Sequence, residues 1–227
     1  MKNSKIKVIV TGVTGMVGEG VMHECLLSPH VEEVLVISRR PSGKSHPKLK
    51  EIILKDFYQT EELEDQVKGY DACYFCLGVT SIGKNEAEYT KLTYDLTLGF
   101  AKSLEKHNPE LTFVYVSGKS TDSTEKGSLM WARVKGKTEN DLKKLHFKSA
   151  YAFRPGMIHP TPGLQHALPF YKYINWMYPF LRWAAPNMVC TLKELGQAML
   201  AVTIHGYDKT TIEVADIVHL AKVLGEE

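Results

Sequence analysis

Apolar and polar positions along the chain switch between two periods. Short, nearly continuous β-branched runs recur, with stretches of helical spacing between them. Within Lys5–Thr11, Ile6, Val8, Ile9 and Val10 predict a first strand covered on both faces. Gly15–Leu27 then has helical spacing and stops at Ser28-Pro29, where proline cannot continue a helix. Glu33–Ser38, Ile52–Leu54, Ala72–Leu77, Leu111–Ser117 and Ala150–Arg154 read as the next five strands. Asn85–His107, closed by Asn108-Pro109, and Ser128–Leu145 read as amphipathic helices. Past Thr161 the pattern breaks into an aromatic stretch, Leu164–Pro186. It resumes with a helix at Leu192–His205, a short strand at Thr211–Val214 and a helix at Asp216–Leu224. This alternation predicts an α/β fold, a doubly wound parallel sheet with helices on both faces. No repeat or Gly/Ser/Pro-rich linker divides residues 1–227, so a single domain with one excursion, about 161–190, is expected.

Composition narrows the function classes. With 44% hydrophobic and 24% charged residues the chain reads as an ordinary folded domain. A chain of this length buries about 70% of its unfolded surface, so it needs no disulfide or metal staple. A net charge of +2 without a dense basic cluster argues against nucleic acid as a partner. The apolar run behind Lys2, Lys5 and Lys7 ends at Thr11-Gly12, short of the ~7–15 residues of a secretory signal core. No stretch approaches the roughly 18 apolar residues of a membrane span. Four cysteines do not make a secreted disulfide framework. Cys73 and Cys76 have redox-motif spacing but fall in a strand run, where residues three apart face opposite sides. A cytoplasmic location is expected.

The strongest chemical signal is Thr11-Gly12-Val13-Thr14-Gly15-Met16-Val17-Gly18, set between the first strand and the first helix. Gly12 suits a tight turn, Gly15 the approach of a pyrophosphate, and Gly18 close helix–strand packing. The helix N-terminus adds free N–H groups and partial positive charge. This predicts a Rossmann-type dinucleotide fold. Where NAD-binding chains place an acid, about 20 residues on, the sequence reads Ser38-Arg39-Arg40. Two arginines favour a 2′-phosphate, so NADP(H) is expected over NAD(H). Ser38 offers a further hydroxyl. Lys44 reads as a solvated lysine, and Asp56 reads equally as an adenine contact or a plain loop carboxylate.

These residues resemble the atypical short-chain dehydrogenases/reductases, in the branch around the Tat-interacting protein. The glycine spacing carries the likeness, together with Cys76-Leu77-Gly78-Val79-Thr80-Ser81 and Gly83-Lys84, Tyr89 and Asp95, Val116-Ser117-Gly118-Lys119, and Arg154-Pro155-Gly156. It runs from about residue 5 to 158. The resemblance implies a cofactor-side loop at Leu77 and Gly78 and a nicotinamide-side turn at Arg154, Pro155 and Gly156. In that family a Ser, a Tyr and a Lys carry out carbonyl reduction. Ser117 matches the serine, and Lys135 matches the lysine that holds the ribose. Four residues before Lys135, where the tyrosine belongs, stands Trp131. Indole is a donor that does not titrate usefully and so cannot act as a general acid. His159, beyond the Arg154-Pro155-Gly156 turn, reads either as a substitute acid–base group or as a structural histidine.

Two functions stay open on these residues. One is an NADPH-linked oxidoreductase acting on a small carbonyl or enoyl substrate. The other is a non-catalytic NADP(H)-binding regulatory protein, which Trp131 favours. Sugar-nucleotide epimerases rely on the same tyrosine and carry a larger C-terminal part, which places them behind both. The aromatic stretch, with Tyr171, Tyr173, Trp176, Tyr178, Phe180 and Trp183 beside Lys172 and Arg182, reads first as packing against the sheet edge. A substrate-pocket wall, a homodimer face and a membrane-surface patch are its other readings. The histidines show no metal-ligand spacing.

Overall fold

The computed structural model describes residues 5–60, 63, 65–166 and 175–226. The strands are β1 (Ile6–Thr11), β2 (Val31–Ser38), β3 (Leu49–Ile53), β4 (Ala72–Phe75), β5 (Thr112–Val116), β6 (Ser149–Arg154), β7 (Met157–His159), β8 (Val189–Thr191) and β9 (Thr211–Glu213). The helices are α1 (Met16–Leu27), α2 (Glu86–Thr90), α3 (Leu96–His107), α4 (Met130–Leu142), α5 (Tyr178–Ala184), α6 (Leu192–His205) and α7 (Val214–Gly225). Seven strands form one parallel sheet in the order β3-β2-β1-β4-β5-β6-β9. The expected doubly wound α/β architecture is therefore present.

Strand parity sorts the core into two layers. Val8, Val10, Val34, Val36, Tyr74 and Val114 point to one face, under α1, α6 and α7. Ile9, Leu35, Ile37, Cys73, Phe75 and Phe113 point to the other, under α3 and the segment that carries Phe57, Leu63 and Val67. Both faces are apolar because each is covered, the reason the strands read as unbroken β-branched runs. Cys73 lies in the second layer while Cys76 packs against the first, as the strand argument required.

Some boundaries move. The expected fourth strand stops at Phe75, freeing Cys76–Gly78 to form the loop at the sheet's edge. The expected helix Asn85–His107 is one continuous column interrupted by a π-helical turn at Lys91–Asp95. The small parallel pair β7–β8, registering Ile158 with Cys190, has no counterpart in the sequence reading. Three-residue strands are too short to show a period. In the excursion, Trp176, Phe180 and Trp183 do not pack against the sheet edge but are exposed, and α5 contains no buried residue; Tyr178 alone among the described aromatic residues there is half-buried, against His159 of β7. Tyr171, Lys172 and Tyr173 lie outside the described residues.

Candidate functional site

The strand order reverses between β1 and β4, and the crevice above their C-terminal ends is where doubly wound sheets bind ligands. Gly12 leaves β1 at φ 72°, and a Cβ there would stand 2.6 Å from the Cys76 carbonyl oxygen. Only glycine fits both the left-handed turn and that approach. A Cβ at Gly18 would collide with the Gly12 carbonyl, so the helix rests directly on the loop. Gly15 differs. It is the exposed N-cap of α1 at φ −117°, and a Cβ there would meet only the Gly12 oxygen at 3.5 Å. The fold does not require glycine at this position.

No side chain caps α1, so its first-turn N–H groups, including those of Met16 and Val17, face the crevice without a side-chain acceptor. Thr11 is fully buried, and its Oγ1 has no hydrogen-bond partner. Thr14 is exposed on the loop. An uncapped helix start beside an open glycine is chemically suited to a pyrophosphate. Across the crevice Leu77 packs into the core below, while Gly78 has open space at its Cα.

At the end of β2, Arg39 and Arg40 are exposed. Ser38 is buried, and its hydroxyl donates to the Arg40 carbonyl, so it shapes the turn instead of facing a ligand. Asp56 Oδ1 accepts from Tyr58 N at 2.9 Å, the local turn of a plain loop carboxylate. Lys44 is only partly solvated, at 30% side-chain exposure, and its Nζ lies 3.4 Å from Glu19 Oε1. Glu19 is buried in α1 and also accepts from Gln165 N at 3.0 Å, His166 N at 2.8 Å and His166 Nδ1 at 2.9 Å. Burial opposes its charge, yet these donors outweigh that cost and hold its carboxyl below the usual range. Glu19 thus ties the loop after β2 to the segment entering the excursion. The sequence reading missed it, because its partners lie 146 and 147 positions away.

The resemblance to a Ser-Tyr-Lys site breaks at a second point. Ser117 is buried, donating from Oγ to Glu139 Oε1 at 2.5 Å and to the Phe153 carbonyl at 3.1 Å. Its hydroxyl is turned into the β5–α4–β6 contact and not toward a substrate. Arg154 is likewise enclosed: Nε and Nη2 hold the buried Glu139, and Nη1 lies 3.5 Å from Glu213. Burial works against the Arg154 charge, but Glu139 prevails and raises its affinity for the proton. The side chain expected at the nicotinamide side is therefore a structural cation. Glu139, four residues after Lys135, was the missed centre of this network. Spacing placed it on the helix face of Lys135, but only the fold brought Arg154 to it.

Lys135 Nζ donates to the Ser117 carbonyl. Burial lowers its pKa to about 8, partly countered by Glu139. Trp131 is half-buried one turn earlier. The turn after β6 is tightly packed, with Lys119 N donating to the Pro155 carbonyl and Gly156 pressed against Met188 backbone. His159 ends β7 with its ring 4.2 Å from that of Tyr178, and burial lowers its pKa. No described contact joins His159 to Lys135 or Ser117.

Comparison with known proteins shows the family and the fold. Residues 8–148 match the NAD dependent epimerase/dehydratase family, and the chain belongs to it. Protein fmp52, mitochondrial, of Emericella nidulans is 32% identical over 158 residues, 66% of each chain. Protein FMP52-1, mitochondrial, of Scheffersomyces stipitis is 28% identical over 151 residues, again 66% of each. The match thus spans just under two thirds of these curated relatives. In fold, the Bordetella bronchiseptica enzyme WbmF in complex with NADH superposes with a TM-score of 0.67 at 16% identity, covering 99% of this chain and 77% of that one. The UDP-N-acetylglucosamine 4-epimerase of Methanobrevibacter ruminantium gives 0.65 at 17% identity, covering 92% and 75%. The relatives' names overturn the cytoplasmic expectation and point to mitochondria. That expectation rested on the lack of a secretory core, a membrane span and a disulfide framework, and none of these bears on a mitochondrial location.

Proposed function

From this family membership we propose that the chain binds NADP(H) and serves as an NADPH-linked oxidoreductase on a small carbonyl or enoyl substrate, in a mitochondrial setting. The observation that carries the reading is the open, uncapped cradle at Gly12–Gly18, faced by an acid-free β2 end with Arg39 and Arg40 exposed. Thr11, Gly12, Thr14, Gly15, Met16, Val17 and Gly18 would hold the pyrophosphate. Arg39 and Arg40 would pair with the 2′-phosphate. Leu77, Gly78, Pro155 and Gly156 would border the nicotinamide half, and Lys135 would hold the ribose. NADPH supplies a hydride when bound. The chain's own part is to orient the nucleotide and keep a proton on Lys135 Nζ below about pH 8.

A second reading, nucleotide binding without turnover, is favoured by the inward hydroxyl of Ser117 and by Trp131 in the tyrosine's place. One experiment separates the two. NADPH is titrated against the protein, and its consumption is followed with aldehydes, ketones and quinones. Turnover supports the oxidoreductase. Binding with no turnover across the panel selects the second reading, and absence of binding overturns both. Trp131→Tyr restores a titratable hydroxyl one turn from Lys135 and should raise or create carbonyl reduction.

A further inference from the structure

We propose that α5 and the turn before it dock the protein onto the surface of a lipid bilayer through Trp176, Phe180 and Trp183. These residues stand at i, i+4 and i+7, the spacing of one helical face. They are 77%, 62% and 80% exposed, and the Phe180 and Trp183 rings are 6.1 Å apart. Met188, 49% exposed, is a further apolar side chain left in solvent just beyond α5. A surface helix normally buries its apolar stripe and shows polar groups to water. Here the order is inverted, and the polar groups explain why. Arg182 turns inward, with Nη1 donating to the Val189 carbonyl at 2.9 Å and Nη2 2.5 Å from Glu194 Oε1. The Tyr178 ring lies tilted against that of His159, centroids 4.2 Å apart. Rolling the aromatic face inward would break all of these contacts.

The size and chemistry of the face select its occupant. Among the described residues, three largely exposed aromatic rings and one Met offer on the order of 600 Å². That falls short of the ~800 Å² each partner contributes to a standard protein interface. The only charged side chain of α5, Arg182, is already paired, so a charged protein surface has nothing to recognise on this helix. Tryptophan and phenylalanine are the side chains that settle at the boundary between headgroups and acyl chains. Among the described residues no helix is long and apolar enough to cross a membrane, which leaves α5 lying in the interface.

The test uses the full chain and vesicles of phosphatidylcholine alone. Wild type should co-sediment with them and keep doing so in high salt, since the rings and not charges make the contact. The triple variant Trp176→Ser, Phe180→Ser, Trp183→Ser should partition at least about tenfold less, with an unchanged melting temperature. In Trp131→Phe protein, acyl chains brominated near the headgroup should quench the remaining tryptophan emission, a readout that does not depend on the triple variant folding. Wild type left in the supernatant would overturn the proposal, as would undiminished binding by a folded triple variant. So would binding that needs anionic lipid and disappears in salt, or a wild-type dimer that the triple variant abolishes in the absence of vesicle binding.

Discussion

The hydroxyl of Ser117 and the carboxylate of Glu139 lie 2.5 Å apart inside the protein, with Arg154 closing the other side of the carboxylate. The serine that the family resemblance assigns to substrate is thereby committed to a buried ion pair. Ser117→Ala should cost about 1.5–3 kcal/mol, the worth of a hydrogen bond to a charged group, and leave NADPH affinity within threefold. Glu139→Ala should cost more, about 3–5 kcal/mol, because it removes the buried partner that Ser117 and Arg154 share. Urea unfolding of both variants, with an NADPH titration of Ser117→Ala, checks this. A large loss of affinity in a stable Ser117→Ala would return the serine to the nucleotide site.

Two glycines of one loop should fail in different ways. Gly12→Ala puts a Cβ against Cys76 backbone at a left-handed φ and should destabilise the fold by about 2 kcal/mol or more. Gly15→Val sits at an extended N-cap with room for its Cβ and should cost about 1 kcal/mol or less. Its branched side chain would nevertheless fill the space in front of the helix start and abolish nucleotide binding. Thermal melts paired with titrations distinguish the two. Full-strength binding by Gly15→Val would move the phosphate site elsewhere.

NADPH should bind at least about tenfold tighter than NADH, roughly 1.4 kcal/mol, through Arg39 and Arg40. Arg39→Asp should cancel or reverse that preference, since a carboxylate repels a 2′-phosphate. Calorimetric titration of both nucleotides against both proteins measures it directly, and equal affinities in the wild type would remove the arginines from the site.

Lys135 sets a pH dependence with a definite sign. Burial lowers its pKa to about 8, whereas in the unfolded chain it stays protonated to about 10.4. The native state therefore binds fewer protons than the unfolded one between those values, and this residue's contribution to stability rises with pH there. Nucleotide binding follows the opposite course, because it needs the ammonium. NADPH affinity should be level between about pH 7 and 8, above the ~6 at which a phosphate monoester takes up its second proton, and decline above that in wild type, and lose that decline in Lys135→Met. A profile that falls equally in both proteins would assign the titration to another group.

The strands, the helices and the glycine loop could be read from the chain because their signals are local. Period, proline stops and glycine spacing are properties of neighbouring residues, and they determined the α/β order and the place of the crevice. Even the opposite facing of Cys73 and Cys76 follows from strand parity alone. What the side chains at the site do was decided by residues far away in sequence. Ser117 and Arg154 became structural because β5, β6 and α4 converge on Glu139, and Lys44 gained an ion-pair partner because Glu19 lies on a neighbouring helix. The aromatic stretch shows the same division. Its composition announced a special surface, but which way α5 faces was settled by Arg182 reaching Glu194 and Tyr178 meeting His159. A buried charge or an exposed ring depends on which elements pack together, and periodicity along one segment holds no record of that.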